Sequence, residues 1–274
     1  MKRLMNIEPS RFWRTFLTIV PFIVIIALYW SASDARLAEN PNDKLLPSFT
    51  QISSAIDRMA FTENKRTGEY LFWQDSAASL YRILLGITIS AAIGLIIGLI
   101  NGLLPGVRAG LSPLVTIASL VPPMAILPIL FITFGLDELA KVMLIIIGTA
   151  PVIIRDMQSQ VMQIPKEQLI KAQTLGASTW LVTIRVVLPQ IMPKLLAAVR
   201  LSLGAAWLFL IAAEAIAAQE GLGYRIFLVR RYMAMDVILP YVAWITVLAF
   251  AMDFSLKKMS QVCFPWYHHQ EASK

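Results

Sequence analysis

Charge is what this chain has least of: 15% of its 274 residues are Asp, Glu, Lys or Arg, against roughly 25% in soluble domains. Cysteine is nearly absent as well. The 1 cysteine present, Cys263, excludes an internal disulfide and a thiolate metal cluster, and it reads as a small apolar residue near a helix end. The 2 histidines, His268 and His269, are adjacent near the end of the chain and too few for a metal ligand set, so they read as solvated tail residues. No Gly-x-x-x-x-Gly-Lys-Ser/Thr run occurs, so the chain offers no cradle for nucleotide phosphates. A His-Glu-x-x-His helix and a Gly-x-Ser-x-Gly elbow are missing too. The reading is a non-catalytic chain with no cofactor and no metal.

What fills the space is apolar: 57% of the residues are hydrophobic and the mean hydropathy is +0.67. Residues 83–107 and 109–136 carry no charge, and each run exceeds the ~20 residues needed to cross a hydrocarbon core. The fold class is all-α, a polytopic membrane protein embedded in a lipid bilayer. Six transmembrane helices are expected, at 16–30, 80–104, 111–134, 139–154, 191–217 and 237–254. The later ones are less sharply drawn, because charged residues at 141 and 155, 200 and 214, and 236 and 253 enclose only 13, 13 and 16 uncharged residues. The first follows Arg11 and Arg14 like a secretory signal, but Ser31-Ala32-Ser33-Asp34 is a poor cleavage site and Tyr29-Trp30 suits an interfacial anchor, so it reads as a retained helix.

The net charge of +7 reads as a record of topology, without a nucleic-acid partner, since Lys and Arg collect in cytoplasmic loops. With the N-terminus inside, the inner segments receive Arg108, then Arg155, Lys166, Lys171, Arg185 and Lys194, then Lys257 and Lys258. Arg225, Arg230 and Arg231 in an outer loop offend that rule. The expected division is a cytoplasmic N-terminus (1–14), a first transmembrane helix (15–33), an extracytoplasmic loop (34–78) with an amphipathic helix near 49–59, a core with five transmembrane helices (79–260), and a cytoplasmic tail (261–274).

Three signals lie inside the membrane. Gly94, Gly98, Gly102 and Gly106 recur every four residues and mark a close helix crossing or dimer seam, with small-residue filling as the plain alternative. Pro113, Pro122, Pro123 and Pro128 break the third span. Pro122 and Pro123, near its middle, are candidates for the wall of a translocation cavity or for a purely structural kink. Arg200 and Glu214 stand near opposite ends of the fifth span. Arg200 reads as snorkelling, and Glu214 as either a cavity residue or an interfacial anchor.

Between the fourth and fifth spans, residues 163–189 are too patterned for a plain connector. Pro165 opens a helix, Gly176 stops it, and a second short helix from Thr179 to Val187 is expected to end at Leu188-Pro189. Lys171-Ala172-Gln173-Thr174-Leu175-Gly176-Ala177-Ser178, followed by Val186-Val187-Leu188-Pro189, resembles the EAA signature of binding-protein-dependent ABC transporter permeases. The tags Ser79-Leu80-Tyr81-Arg82, Val121-Pro122-Pro123, Phe134-Gly135-Leu136, Ala212-Ala213-Glu214 and Gly221-Leu222-Gly223-Tyr224 resemble its nitrate/sulfonate/taurine-type subgroup. One departure stands out: the family's Glu-Ala-Ala falls on Ile170, Lys171 and Ala172.

The resemblance implies a type I ABC importer permease-like fold with cytoplasmic coupling helices, in a bacterial cytoplasmic (inner) membrane. It implies a homodimer, two cytosolic ATP-binding subunits and an extracytoplasmic solute-binding protein. Ile170, Lys171, Ala172, Leu175, Gly176, Ala177, Val186, Leu188 and Pro189 would then couple to the ATPase, and Pro122, Pro123 and Glu214 would belong to the translocation path. The implied cargo is a small anion such as a sulfonate, taurine or nitrate. A small guanidinium- or urea-like nitrogen compound is the alternative, and an ion-driven secondary transporter is the rival class, disfavoured because the proline-rich third span has no matched counterpart.

Overall fold

The computed structural model describes residues 10–41, 43–64 and 68–267, and the described residues form helices and their connections with no strand. His268 and His269 lie outside them. Four helices are long and apolar enough to cross a membrane: α1 (Arg11–Glu39), α3 (Leu71–Leu103), the continuous run 179–217, and α11 (Met235–Cys263). The bent pair of α4 (Pro105–Leu120) and the run 123–134, which ends in α5 (Leu127–Phe134), makes a fifth when the two pieces are counted as one broken span. The expected fourth span is α6 (Glu138–Met162). Composition alone does not mark it, because Glu138, Lys141, Arg155 and Asp156 punctuate it, yet it is the helix most enclosed by others.

The centre of the molecule is the crossing of α3 and α6. Gly86 lies against Ile145, Gly94 against Ile153, Gly98 against Met157 and Gly102 against Val161. Between the first two pairs the Thr149 hydroxyl meets Ser90 Oγ at 2.8 Å, 59 positions apart in sequence, as in every pair of the seam. A constant offset means that the two helices run parallel. Without a Cβ at the contact the backbones approach closely, which is how helices associate where lipid offers no hydrophobic driving force. The small-residue repeat is therefore a crossing within one chain. It begins at Gly86, earlier than expected, and it excludes Gly106, which starts the next helix with open space around it.

Parallel neighbours need a return crossover, and α4 and α5 supply it. Val121 and Pro122 are extended, as a residue before proline must be, and Pro122 and Pro123 bring no N–H to continue the ladder. The chain bends by 83° there. Asn101, Gln158 and Ser112 link α3, α6 and α4 by hydrogen bonds of 3.3 and 3.2 Å.

Around this centre, α9 (Leu188–Ala217) packs on α6, with Phe209 lying over Gly148. Between α9 and α11, Arg200 grips Asp253 with two bonds of 2.8 and 2.9 Å, so its charge is paired and it does not snorkel. Helix α1 extends beyond the expected 16–30 at both ends and touches the rest mainly through Tyr29 and Ser33, which donate to the Pro47 and Leu46 carbonyls. Beyond its last turn, hydrogen bonding from Arg36 pulls the Asp43 carboxyl below its ordinary range. Helix α2 (Phe49–Ile56) opens with a capping box between Ser48 and Gln51 and lies on α11.

Candidate functional site

Two constellations stand at opposite ends of this bundle, joined by α9. At one end lies the elbow between α6 and α9. Helix α7 (Lys166–Thr174) carries Glu167 in its first turn and Lys171 in its last, each complementing the helix dipole. It is closed by a Schellman motif, in which Ala177 N–H donates to the Ala172 carbonyl at 3.0 Å and Gly176 N–H to Gln173 at 2.9 Å. Gly176 takes φ +82°, and a Cβ added there would meet nothing within 4 Å, so backbone conformation alone demands glycine.

Ser178 then caps α8 (Thr179–Val182), accepting from Leu181 N–H. The second short helix does not end at Leu188-Pro189 as expected. A wide π turn at Thr183–Val187 carries it directly into α9, where Pro189 sits in the first turn and its missing N–H costs nothing. Gln190 on α9 also donates to Gln168 on α7 at 3.2 Å.

Of the expected coupling residues, Ile170, Lys171, Leu175, Gly176 and Pro189 are exposed, while Ala172, Ala177, Val186 and Leu188 are half-buried against the bundle. Leu175 is 89% exposed and Trp180 72%. With Ile170 at 58%, the elbow exposes three large apolar side chains, an apolar knob of the kind that suits an interaction surface.

At the other end the polar residues are inside. Arg82 on α3 is 1% exposed and Glu214 on α9 is 0% exposed. Arg82 Nη1 donates to Glu214 Oε1 at 2.7 Å and to the Glu220 carbonyl at 2.9 Å, and its Nη2 reaches Glu138 Oε1 at 2.8 Å. Ser79 Oγ lies 2.8 and 2.9 Å from the two Glu214 oxygens and accepts from Leu222 N–H, while Gly223 N–H donates to Glu214 Oε2. In the same corner Asp75 is 0% exposed. It receives Gly221 N–H, the Tyr241 hydroxyl and the Arg225 guanidinium, from three different elements.

Asp75, Ser79 and Arg82 are spaced four and three apart, hence on one face of α3. They clamp the turn leading into α10 (Leu222–Arg230). Gly221 holds φ +124°, and a Cβ there would fall 2.6 Å from Glu214 Oε1 and 2.7 Å from Arg82 Nη1. Gly221→Ala is expected to lower stability by about 1–3 kcal/mol through backbone strain alone, read as an earlier thermal transition of the purified protein in detergent.

Glu214 thus faces no opening in this conformation, whereas Pro122 is exposed and Pro123 half-buried at the bend. The opening at this end is a cavity of about 980 Å³ beside the clamp, bordered by Gln74, Glu138, Lys141, Glu220 and Tyr224. Sequence reasoning missed Asp75, Ser79, Arg82 and Tyr241 as a unit. It counted Arg225 as a loop charge, although Asp75 neutralises it. The 4-3 spacing of polar residues on α3 was the available signal.

Comparison with known proteins places these two ends in a family. Residues 90–261 match the family model described as "Binding-protein-dependent transport system inner membrane component". The taurine transport system permease protein TauC of Escherichia coli is 31% identical, over 92% of this chain and 90% of its own length. The bicarbonate transport system permease protein CmpB of Synechococcus elongatus is 31% identical, over 53% of this chain and 52% of its own. In fold, the chain is similar to a subunit in the crystal structure of a bacterial ABC transporter involved in the import of the acidic polysaccharide alginate, with a TM-score of 0.64 and 14% identity, over 93% of this chain and 97% of that one. The family match takes in the glycine seam from Gly94 onward and the Gly176 elbow, and this chain belongs to the binding-protein-dependent ABC transporter permeases, multi-pass proteins of the inner membrane.

Proposed function

We propose that this chain forms the translocation path of an importer for a small sulfonate-like anion and works by ATP-driven alternating access. In this reading two copies form the path, two cytosolic ATP-binding subunits grip the Gly176 elbows, and an extracytoplasmic solute-binding protein delivers the cargo at the Glu214 end. The N-terminus of α1 then lies on the cytosolic side, since the chain just past its other end, at Pro41 and Asp43, borders one cavity with Tyr232 and Asp236 at the start of α11. The names of the taurine and bicarbonate relatives support a small solute with an anionic end.

The observation that carries the mechanism is continuity. The chain runs as one helical rod from Thr179 to Ala217, ~58 Å at 1.5 Å per residue, with the exposed knob at one end and the Glu214 clamp at the other. A rod pinned at one end and pushed at the other transmits displacement instead of absorbing it. Pro122 and Pro123, at the bend beside this rod, belong to the wall of the path. Glu214 acts on the path indirectly, by fixing the outer end of α9.

Reconstitution of the complete importer tests this. Gly176→Val forces a β-branched residue to φ +82°, at about 1–2 kcal/mol. The protein should still insert and dimerise, while taurine uptake falls at least about tenfold, with the ATPase either running uncoupled or failing to co-purify. Wild-type uptake in this variant, or uphill uptake by the permease without any ATPase, overturns the proposal.

A further inference from the structure

Resting on that reading, the geometry points to Arg155 as the fixed cation of the translocation path, the group that meets the anionic end of a small solute. On α6 the residues packed into the α3 seam are Ile145, Thr149, Ile153 and Met157. At 100° per residue Arg155 points almost directly away from them. It looks out between α4, which Ser112 and Ser119 join to α6, and α9, which flanks α6 across a groove with Asp156 and Ser202 on its walls. That side of the molecule is uncovered: Val152 is 52% exposed, Leu201 86% and Leu208 59%, and Gly204 has nothing within 4 Å.

Arg155 itself is exposed. Among the described residues its hydrogen-bond partner is the neutral Ser119 hydroxyl, 2.8 Å from Nη1, and it forms no ion pair, unlike Arg82, Arg200 and Arg225. Its depth makes this informative. Helix α6 has 25 residues, ~37 Å of length, against a hydrocarbon core of about 30 Å. Arg155 lies roughly 10 Å from the Met162 end. A guanidinium facing lipid at that level snorkels toward the nearer helix end, whereas Arg155 is held to Ser119, seven residues further along α4 than the Ser112–Gln158 contact, an arrangement that suits a water-filled path. Ser119, two residues before the bend at Val121, fixes the orientation of the guanidinium and leaves its other N–H groups free to chelate a sulfonate or carboxylate.

The test reads the local field without relying on the cargo. In a Cys263→Ser background, Val152→Cys sits one helical turn from Arg155. It is labelled in vesicles holding the complete importer with two methanethiosulfonates, one bearing a sulfonate and one a trimethylammonium, with rates normalised to a free thiol. The sulfonate reagent should react faster. Arg155→Gln should cut that preference about tenfold, and Arg155→Lys should keep most of it, which separates charge from misfolding. ATP-dependent taurine uptake, followed in parallel, should fall with Arg155→Gln and recover with Arg155→Lys. A labelling ratio indifferent to Arg155, or a Val152→Cys that reacts with neither reagent, overturns the assignment even where taurine uptake is intact. Uptake of guanidine in place of taurine overturns the anion reading and the assignment together, because a fixed cation on the path repels a cationic cargo.

Discussion

Arg82→Met is expected to lose the folded permease. The substitution preserves volume and apolar packing, so the effect is electrostatic. It leaves Glu214, 0% exposed, facing only the Ser79 hydroxyl and the Gly223 N–H. A buried charge stripped of its partner costs about 3–5 kcal/mol, a large part of the stability of an ordinary domain. The variant should reach the membrane at reduced level and aggregate on extraction in detergent. Glu214→Gln should be far milder, since Arg82 keeps Glu138 at 2.8 Å and the Glu220 carbonyl at 2.9 Å. The pair Arg82→Met with Glu214→Gln should recover part of the single-variant loss, because no charge is then left buried alone. The thermal midpoint and the monodisperse fraction by size exclusion are the readouts. A single Arg82→Met protein as stable as wild type would show that water reaches this corner and that the clamp holds nothing.

That corner is the part of the molecule the sequence concealed, for a physical reason. Composition treats a charged residue as a mark of the surface. Asp75 therefore read as the end of a loop, and the span was placed at 80–104, although α3 starts at Leu71. The partners that let Asp75 and Arg82 enter the interior come from residues 56 to 166 positions away, and nothing local encodes them. Arg225 and Arg155 show the two faces of the same limitation. Both were counted as orientation charges, yet one is neutralised by Asp75 and the other is unpaired on the uncovered face of α6. Pro189 misled in the other direction. It read as a helix stop, because the sequence does not reveal that a π turn delivers it into the first turn of α9. What was legible rested on local backbone chemistry: the apolar spans, the proline break at 122–123, the Gly176 stop and the periodic glycines.

Those glycines carry the second large prediction, in which the sign of the effect changes from one glycine to another. Gly98→Ala places a methyl group onto Met157 and within 3.2 Å of the backbone of Ile154 and Gln158. A side chain can rotate away, but the backbone of α6 cannot, because its Gly94, Gly86 and Ser90 contacts hold the same register. Overpacking of this kind costs about 1–3 kcal/mol for a methyl, and Gly98→Leu should separate the two helices and prevent folding. Gly110→Ala is the opposite case. It lies inside α4 with nothing within 4 Å, so the added methyl restricts the unfolded chain without a clash and should stabilise by about 0.4–1 kcal/mol. Both substitutions make an equal gain in helix propensity, so their difference isolates the seam. Thermal unfolding in one detergent should move the two midpoints in opposite directions. Equal shifts would mean that glycine is abundant in these spans merely because membranes tolerate it, and that α3 and α6 are held together by something other than the contact of their backbones.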